Sequence, residues 1–191
     1  MLIGVFFENL KTRSGLCGGS LIDEQRFLTA AHCFFHNGKK ATFAKIVLGE
    51  HDRQRPDYSK ELESAVPMSR VFIHPGYVPQ GRDHDIALVF LHLRVSWSDH
   101  PHIRPICLPS PLHNIDDYQG RQAVATGWGR TGLHKPEAEV LQEVSLTILS
   151  HRDCTQAFAT TYNISEGMLC AGPTSSRGDT CRGQGLYSLD G

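Results

Sequence analysis

His32 ends the run Leu28-Thr29-Ala30-Ala31-His32-Cys33, where two alanines and a cysteine hold the imidazole rather than leave it free. Imidazole is the side chain best able to take up and return a proton at neutral pH. The chemistry it suggests is nucleophilic. A hydroxyl attacks a peptide carbonyl usefully only if a base takes its proton, a carboxylate orients that base, and amides hold the developing oxyanion. Two acids compete for the orienting role. Asp85 opens the apolar run Ile86 to Leu91 and so sits at the mouth of a buried strand, whereas Asp83 reads as a surface loop acid. An isolated histidine is more often structural than catalytic, so the reading depends on the partners the rest of the chain supplies.

The elements that must position these residues are short and β-like. From Val5 to Ile22 the sequence predicts two strands joined by the polar turn Asn9 to Gly15, with Gly18 and Gly19 marking a bulge or a close backbone approach. Arg26 to Ala30 predicts another strand, leading into the turn that presents His32. Cys17 and Cys33 are 16 positions apart. Joining them would pin that turn to the preceding strand, a loop closure worth about 3 kcal/mol in the chain-entropy model. Ala44 to Leu48 and Met68 to Ile73 are further β candidates, and Ile86 to Leu91 reads as a continuous buried strand. Prolines exclude regular structure from Ile103 to Pro109. Gln122 to Trp128 predicts a strand, Val144, Leu146 and Ile148 alternate with Ser145 and Thr147, and Ser150 caps a short helix. Cys154 and Cys170, again 16 positions apart, would close that helix against a strand over Met168 to Ala171. Two halves built of short strands imply two small β-barrels. Residues 1–107 are expected to form the first, carrying His32 and Asp85, with 108–120 connecting to a second over 121–191.

Composition narrows the function classes. At 191 residues the chain can bury a core, although all-β units of this kind often run to roughly 200–250 residues. A net charge of −1 with scattered basic residues leaves no footprint for nucleic acid. No run approaches the roughly 18 apolar residues of a membrane span, and Met1 to Phe7 is too short for a signal-peptide core. The six cysteines include no Cys-x-x-Cys, and the 11 histidines do not cluster with them at ligand spacings. Disulfides, and hence the extracellular space, are the better reading. Asn163-Ile164-Ser165 is a glycosylation sequon with Asn163 as acceptor.

Five segments follow one another in a telling order: Cys17-Gly18-Gly19-Ser20, Ala30-Ala31-His32-Cys33, Asp85-Ile86-Ala87-Leu88, Gly127-Trp128-Gly129 and Gly178-Asp179-Thr180-Cys181-Arg182-Gly183. Together they resemble the trypsin-like (chymotrypsin-fold) serine endopeptidases over nearly the whole chain. The resemblance implies an all-β fold of two six-stranded antiparallel Greek-key barrels, the second incomplete. It implies that His32 is the general base and Asp85 its orienting acid, in the family's order of His, then Asp, then Ser. Asp179 would lie at the base of the primary specificity pocket and Gly183 would contribute to the oxyanion hole. An enclosed carboxylate selects protein or peptide substrates with Arg or Lys, because an uncharged guest would leave it desolvated and unpaired. Two cysteine pairs, Cys17–Cys33 and Cys154–Cys170, would leave Cys107 and Cys181 as orphans. In arthropod clip-domain relatives a cysteine at the place of Cys107 tethers an upstream regulatory segment. No cofactor is required. In some relatives the loop corresponding to Gly49–Glu61 binds Ca²⁺, and Glu50, Asp52, Asp57 and Glu61 could serve, but three basic residues are interleaved and a plain solvated loop is the stronger reading.

The pattern then breaks. After Cys181-Arg182-Gly183 the family continues Asp-Ser-Gly-Gly-Pro, whereas this chain reads Gln184-Gly185-Leu186-Tyr187-Ser188-Leu189-Asp190-Gly191. Gly185 occupies the nucleophile's place, and Gln184 replaces the acid that receives a freed amino terminus in the family. Ser188 lies three positions beyond the site, with nothing to bring it to His32. The expectation is a family member truncated at both ends and catalytically inactive; the alternative is a non-catalytic homologue that works by binding. Arg177-Gly178-Asp179 also spells a tripeptide that some adhesion receptors recognise, but its place in the specificity loop is the stronger explanation.

Overall fold

The computed structural model describes residues 2–6, 16–55, 60–79, 81, 83–111, 114–131, 135–160 and 163–173. Asp57, Asp179, Cys181, Gly183, Gly185 and Ser188 lie outside them. In the first half, nine strands occur among the described residues: β1 Leu2–Phe6, β2 Leu16–Leu21, β3 Arg26–Thr29, β4 Phe35–His36, β5 Lys39–Lys40, β6 Phe43–Leu48, β7 Leu62–Pro67, β8 Val71–Ile73 and β9 Ala87–Phe90. Strands β4 and β5 form a small hairpin turned through Asn37 and Gly38, both with positive φ, the conformation that matches strand twist in a tight hairpin. The other seven make one antiparallel sheet in the order β7-β6-β1-β2-β3-β9-β8.

The two ends of that order, β7 and β8, are consecutive in the chain, joined by the single 3₁₀ turn Met68–Arg70. The sheet must therefore curl until its edges adjoin, which is the geometry of a barrel wall. The strand expected over Met68 to Ile73 is corrected accordingly: its first three residues are the turn and only Val71–Ile73 is strand. Strand β7 itself is not evident in the sequence. Ser64 and Val66 are buried while Glu63, Ala65 and Pro67 are exposed, a period-two pattern disguised by weak strand formers.

Packing follows the alternation elsewhere. Ala44, Ile46 and Leu48 of β6 point inward with Leu21, Phe27, Phe34, Val89 and Leu91. Phe27 packs directly over Gly19, where a Cβ would collide with its ring and come within 2.6 Å of the Leu28 carbonyl oxygen. The glycine thus marks a close approach, as its place in the strand suggests. Ile86, expected to be buried, is instead exposed, and β9 begins one residue later.

The second half contributes β10 Gln122–Gly127, β11 Gln142–Ile148 and β12 Ala171–Pro173 in a three-stranded antiparallel sheet. Leu146 and Ile148 are buried, as the alternation predicts. Helix α1, His151–Phe158, starts where Ser150 accepts a hydrogen bond from the Asp153 amide at 3.0 Å. Cys154 on α1 is bonded to Cys170, just before β12. The strand expected over Met168 to Ala171 begins only at Ala171. Among the described residues the secondary structure is all-β apart from this helix and short 3₁₀ turns.

A main-chain ladder joins the halves. Asp52 and Val140 form an antiparallel bridge, the Arg53 amide donates to Glu139 O and the Leu141 amide to His51 O, both at 2.9 Å. Buried Trp128 donates its Nε1–H to His51 O at 3.1 Å, and Arg53 reaches the Glu137 carboxylate at 3.1 Å.

Candidate active site

Strand register brings the two sequence-distant residues together. Thr29 ends β3, Ala87 begins β9, and the two are paired across the sheet. His32 follows one shortly and Asp85 precedes the other, so both emerge at the same end of adjacent strands. The 3₁₀ turn Ala31–Phe34 presents His32. Two anchors fix that turn. The Cys17–Cys33 disulfide ties it to β2, and fully buried Thr29 donates from Oγ1 to Gly18 O at 2.9 Å.

Asp85 grips His32 at two points. Its Oδ2 lies 2.6 Å from His32 Nδ1, and its Oδ1 accepts the His32 backbone amide at 2.7 Å. The imidazole is 40% exposed and the carboxylate 30%, so the ring reaches solvent while the acid stays more covered. Burial pushes the Asp85 carboxyl up, but hydrogen bonds from the His32 ring and amide, the attraction of the imidazole and the Ala31 amide outweigh it and hold the acid below its ordinary value. An ionised Asp85 can only accept, so Nδ1 carries the proton and the lone pair sits on Nε2. His32 Nε2 is 3.9 Å from Cys33 Sγ.

Of the two acids, Asp85 is the one paired with His32. Asp83 does not reach His32; its Oδ1 accepts from Ser165 Oγ and from the His84 amide, each at 3.0 Å. Asp83 is exposed, as its reading as a surface acid expects, and its Ser165 contact crosses from one half to the other. Tyr77 was also not legible in the sequence. Its ring packs on Phe35, with centroids 5.6 Å apart, and burial together with the negative charge of Asp85 pushes its hydroxyl pKa up. It belongs to the turn His74-Pro75-Gly76-Tyr77, where no spacing marks an aromatic as a neighbour of the acid.

The remaining sequence-predicted residues are dispersed. Asn163 is exposed, and Cys107 is exposed and not disulfide-bonded. In the loop considered for calcium, Glu50 Oε1 accepts from the His51 amide at 2.9 Å and Asp52 Oδ1 from the Gln54 amide at 3.0 Å. Among the described residues Glu50, Asp52 and Glu61 do not gather into a ligand cluster, and Asp57 lies outside those residues. The three-ligand group that does gather, Cys17, His32 and Cys33, has its sulfurs joined in the disulfide.

The Trypsin family profile matches residues 5–184. Proclotting enzyme of Tachypleus tridentatus is 34% identical over 187 residues, which cover 95% of this chain and 49% of that protein. Ovochymase of Halocynthia roretzi is 37% identical over 168 residues, covering 87% of this chain and 10% of that protein. Clotting factor G beta subunit of Tachypleus tridentatus is 29% identical over 193 residues, covering 95% and 58%. The chain thus spans between a tenth and somewhat over half the length of these curated relatives.

Proposed function

This chain belongs to the trypsin family of serine proteases, and from that premise we propose that it carries the framework of an extracellular endopeptidase cleaving after Arg or Lys, yet does not itself turn over substrate. The observation that carries the reading is the two-point grip of Asp85 on His32. A carboxylate held at Nδ1 fixes the tautomer that leaves Nε2 free to accept a proton, so His32 is the base and Asp85 its orienting acid. Asp179 is the selector of a cationic side chain, and Gly183 an amide donor to the oxyanion.

What the base would deprotonate is missing. Gly185 stands at the position of the family's serine, and the family match runs only to Gln184. Glycine offers no hydroxyl. Removing the nucleophile from such a site costs on the order of 10⁶-fold in turnover, roughly 8 kcal/mol of barrier lowering. On this reading the chain acts as a non-catalytic homologue that binds protein partners through the inherited cleft. Two disulfides support the extracellular setting, and among the described residues no helix is long and apolar enough to cross a membrane. Exposed Cys107 is the attachment point for a regulatory segment, and exposed Asn163 a glycan acceptor.

A fluorogenic peptide ending in Arg, incubated with the purified chain, is expected to show no release above the blank. Release that disappears in His32→Ala would overturn the claim of inactivity.

A further inference from the structure

We propose that His74 and His84 form a stacked clamp that positions Asp85, setting the direction in which its carboxylate meets His32. The inference rests on the reading of His32 and Asp85 as base and orienting acid. His84 is the residue immediately before Asp85 and has φ 54°, a left-handed conformation uncommon for a non-glycine residue because it crowds the side chain against the backbone. Its imidazole lies flat on that of His74, with centroids 4.5 Å apart and the planes inclined by 13°.

The surroundings fit that purpose. His74 is fixed in turn, because its Nδ1 accepts the Gly76 amide at 3.1 Å, which directs the ring. A side chain at position 76 would close the space, since a Cβ there would lie 2.7 Å from His84 Cδ2. The backbone consequence falls on Asp85. The Ile86 amide donates to His84 O at 2.7 Å, closing a three-residue turn with Asp85 at its centre. The His74 amide donates to Ile86 O at 3.0 Å, tying the same turn to the end of β8. On the other side, Asp83 holds the His84 amide and is itself held by Ser165. If His84 loses its left-handed backbone, the turn opens and the Asp85 carboxylate swings away from His32. His84 and His74 touch no reacting atom; they are positioning residues.

The test uses the downfield proton NMR signal of the His32 Nδ1–H bonded to Asp85, followed in the full chain through its exchange with solvent. His74→Ala removes the surface on which His84 rests, and His84→Ala removes the ring itself and leaves a residue that disfavours the left-handed backbone. Each is expected to speed exchange roughly tenfold, the factor that matches the cost of holding a left-handed residue unaided. His74→Phe restores a flat ring and is expected to return the rate to near that of the parent. The Leu146 amide, in the far sheet, serves as the control for global stability and should not change. Wild-type exchange in His74→Ala, or failure of His74→Phe to rescue, overturns the clamp. Asp85→Asn separates the two levels of inference. If it leaves the proton unaltered, the His32–Asp85 pairing itself is wrong; if it abolishes the signal while His74→Ala does nothing, only the clamp falls.

Discussion

Replacing Asp85 with asparagine keeps the shape of the side chain and removes its charge, which isolates what the ionised acid contributes. Asp85 accepts two hydrogen bonds from His32, at 2.6 and 2.7 Å. Bonds to a charged group are worth roughly 1.5–3 kcal/mol each against roughly 0.5–1.5 for neutral pairs, so the exchange loses about 2–3 kcal/mol before the relief of no longer covering a charge. That relief is partial for a half-buried carboxylate and brings the expected net destabilisation to about 1–2 kcal/mol at pH 7. The pH dependence follows from the direction of the Asp85 shift. Its carboxyl is held below the ordinary value of 3.8 in the folded chain, so its contribution is present above that value and fades as pH falls through the lower folded one. Urea unfolding followed by the fluorescence of Trp97 and Trp128 should therefore give the same parent-to-variant difference at pH 7 and about pH 5, shrinking below 3.8. A difference that persists undiminished down to about pH 2, or no difference at pH 7, refutes the claim that an ionised Asp85 stabilises the fold by holding His32.

Two further outcomes are expected. Thr29→Val keeps the volume of a fully buried side chain but deletes its hydrogen bond to Gly18 O; urea unfolding should show a loss of about 1–2 kcal/mol, and a loss under about 0.5 would mean the bond does not anchor the turn. Isothermal titration with Ca²⁺ to millimolar concentration should give no binding heat, because the described carboxylates of the 49–61 loop do not converge; a saturable signal would show that they gather around the ion.

The His32–Asp85 pair was legible because both residues carry local marks. His32 sits in an unusual small-residue frame, and Asp85 stands directly before an apolar run, so each could be singled out and the register of β3 with β9 then joins them. Glycines, cysteines and the helix cap were legible for the same reason, as each answers a local demand: Gly19 yields to Phe27, and Ser150 serves the Asp153 amide. The rest depends on contacts that no short window contains. Strand β7 is defined by which face of Ser64 and Ala65 meets the core, and neither residue announces a strand. The turn at Met68–Arg70 appears only once the sheet curls. Asp83 is the exposed acid its loop suggests, but its partner, Ser165, lies 82 positions away in the other half and no short window contains it. Tyr77 and the His74–His84 stack escaped notice because an aromatic or a histidine beside a turn has no spacing that distinguishes a support from a bystander.

The ladder between His51–Arg53 and Glu139–Leu141 bears on whether the molecule can be divided. The two sheets invite a cut between them, yet such a cut would strand the amides of Arg53 and Leu141 and the indole N–H of Trp128 without their acceptors. Each donor so orphaned costs about 1–3 kcal/mol where water cannot replace its partner. The halves therefore share main-chain hydrogen bonds that neither would keep alone. A fragment bearing His32 and Asp85 alone would carry the pair on a framework deprived of its brace, and any attempt to transplant the first half should take the Trp128 strand and the Glu139–Leu141 segment with it.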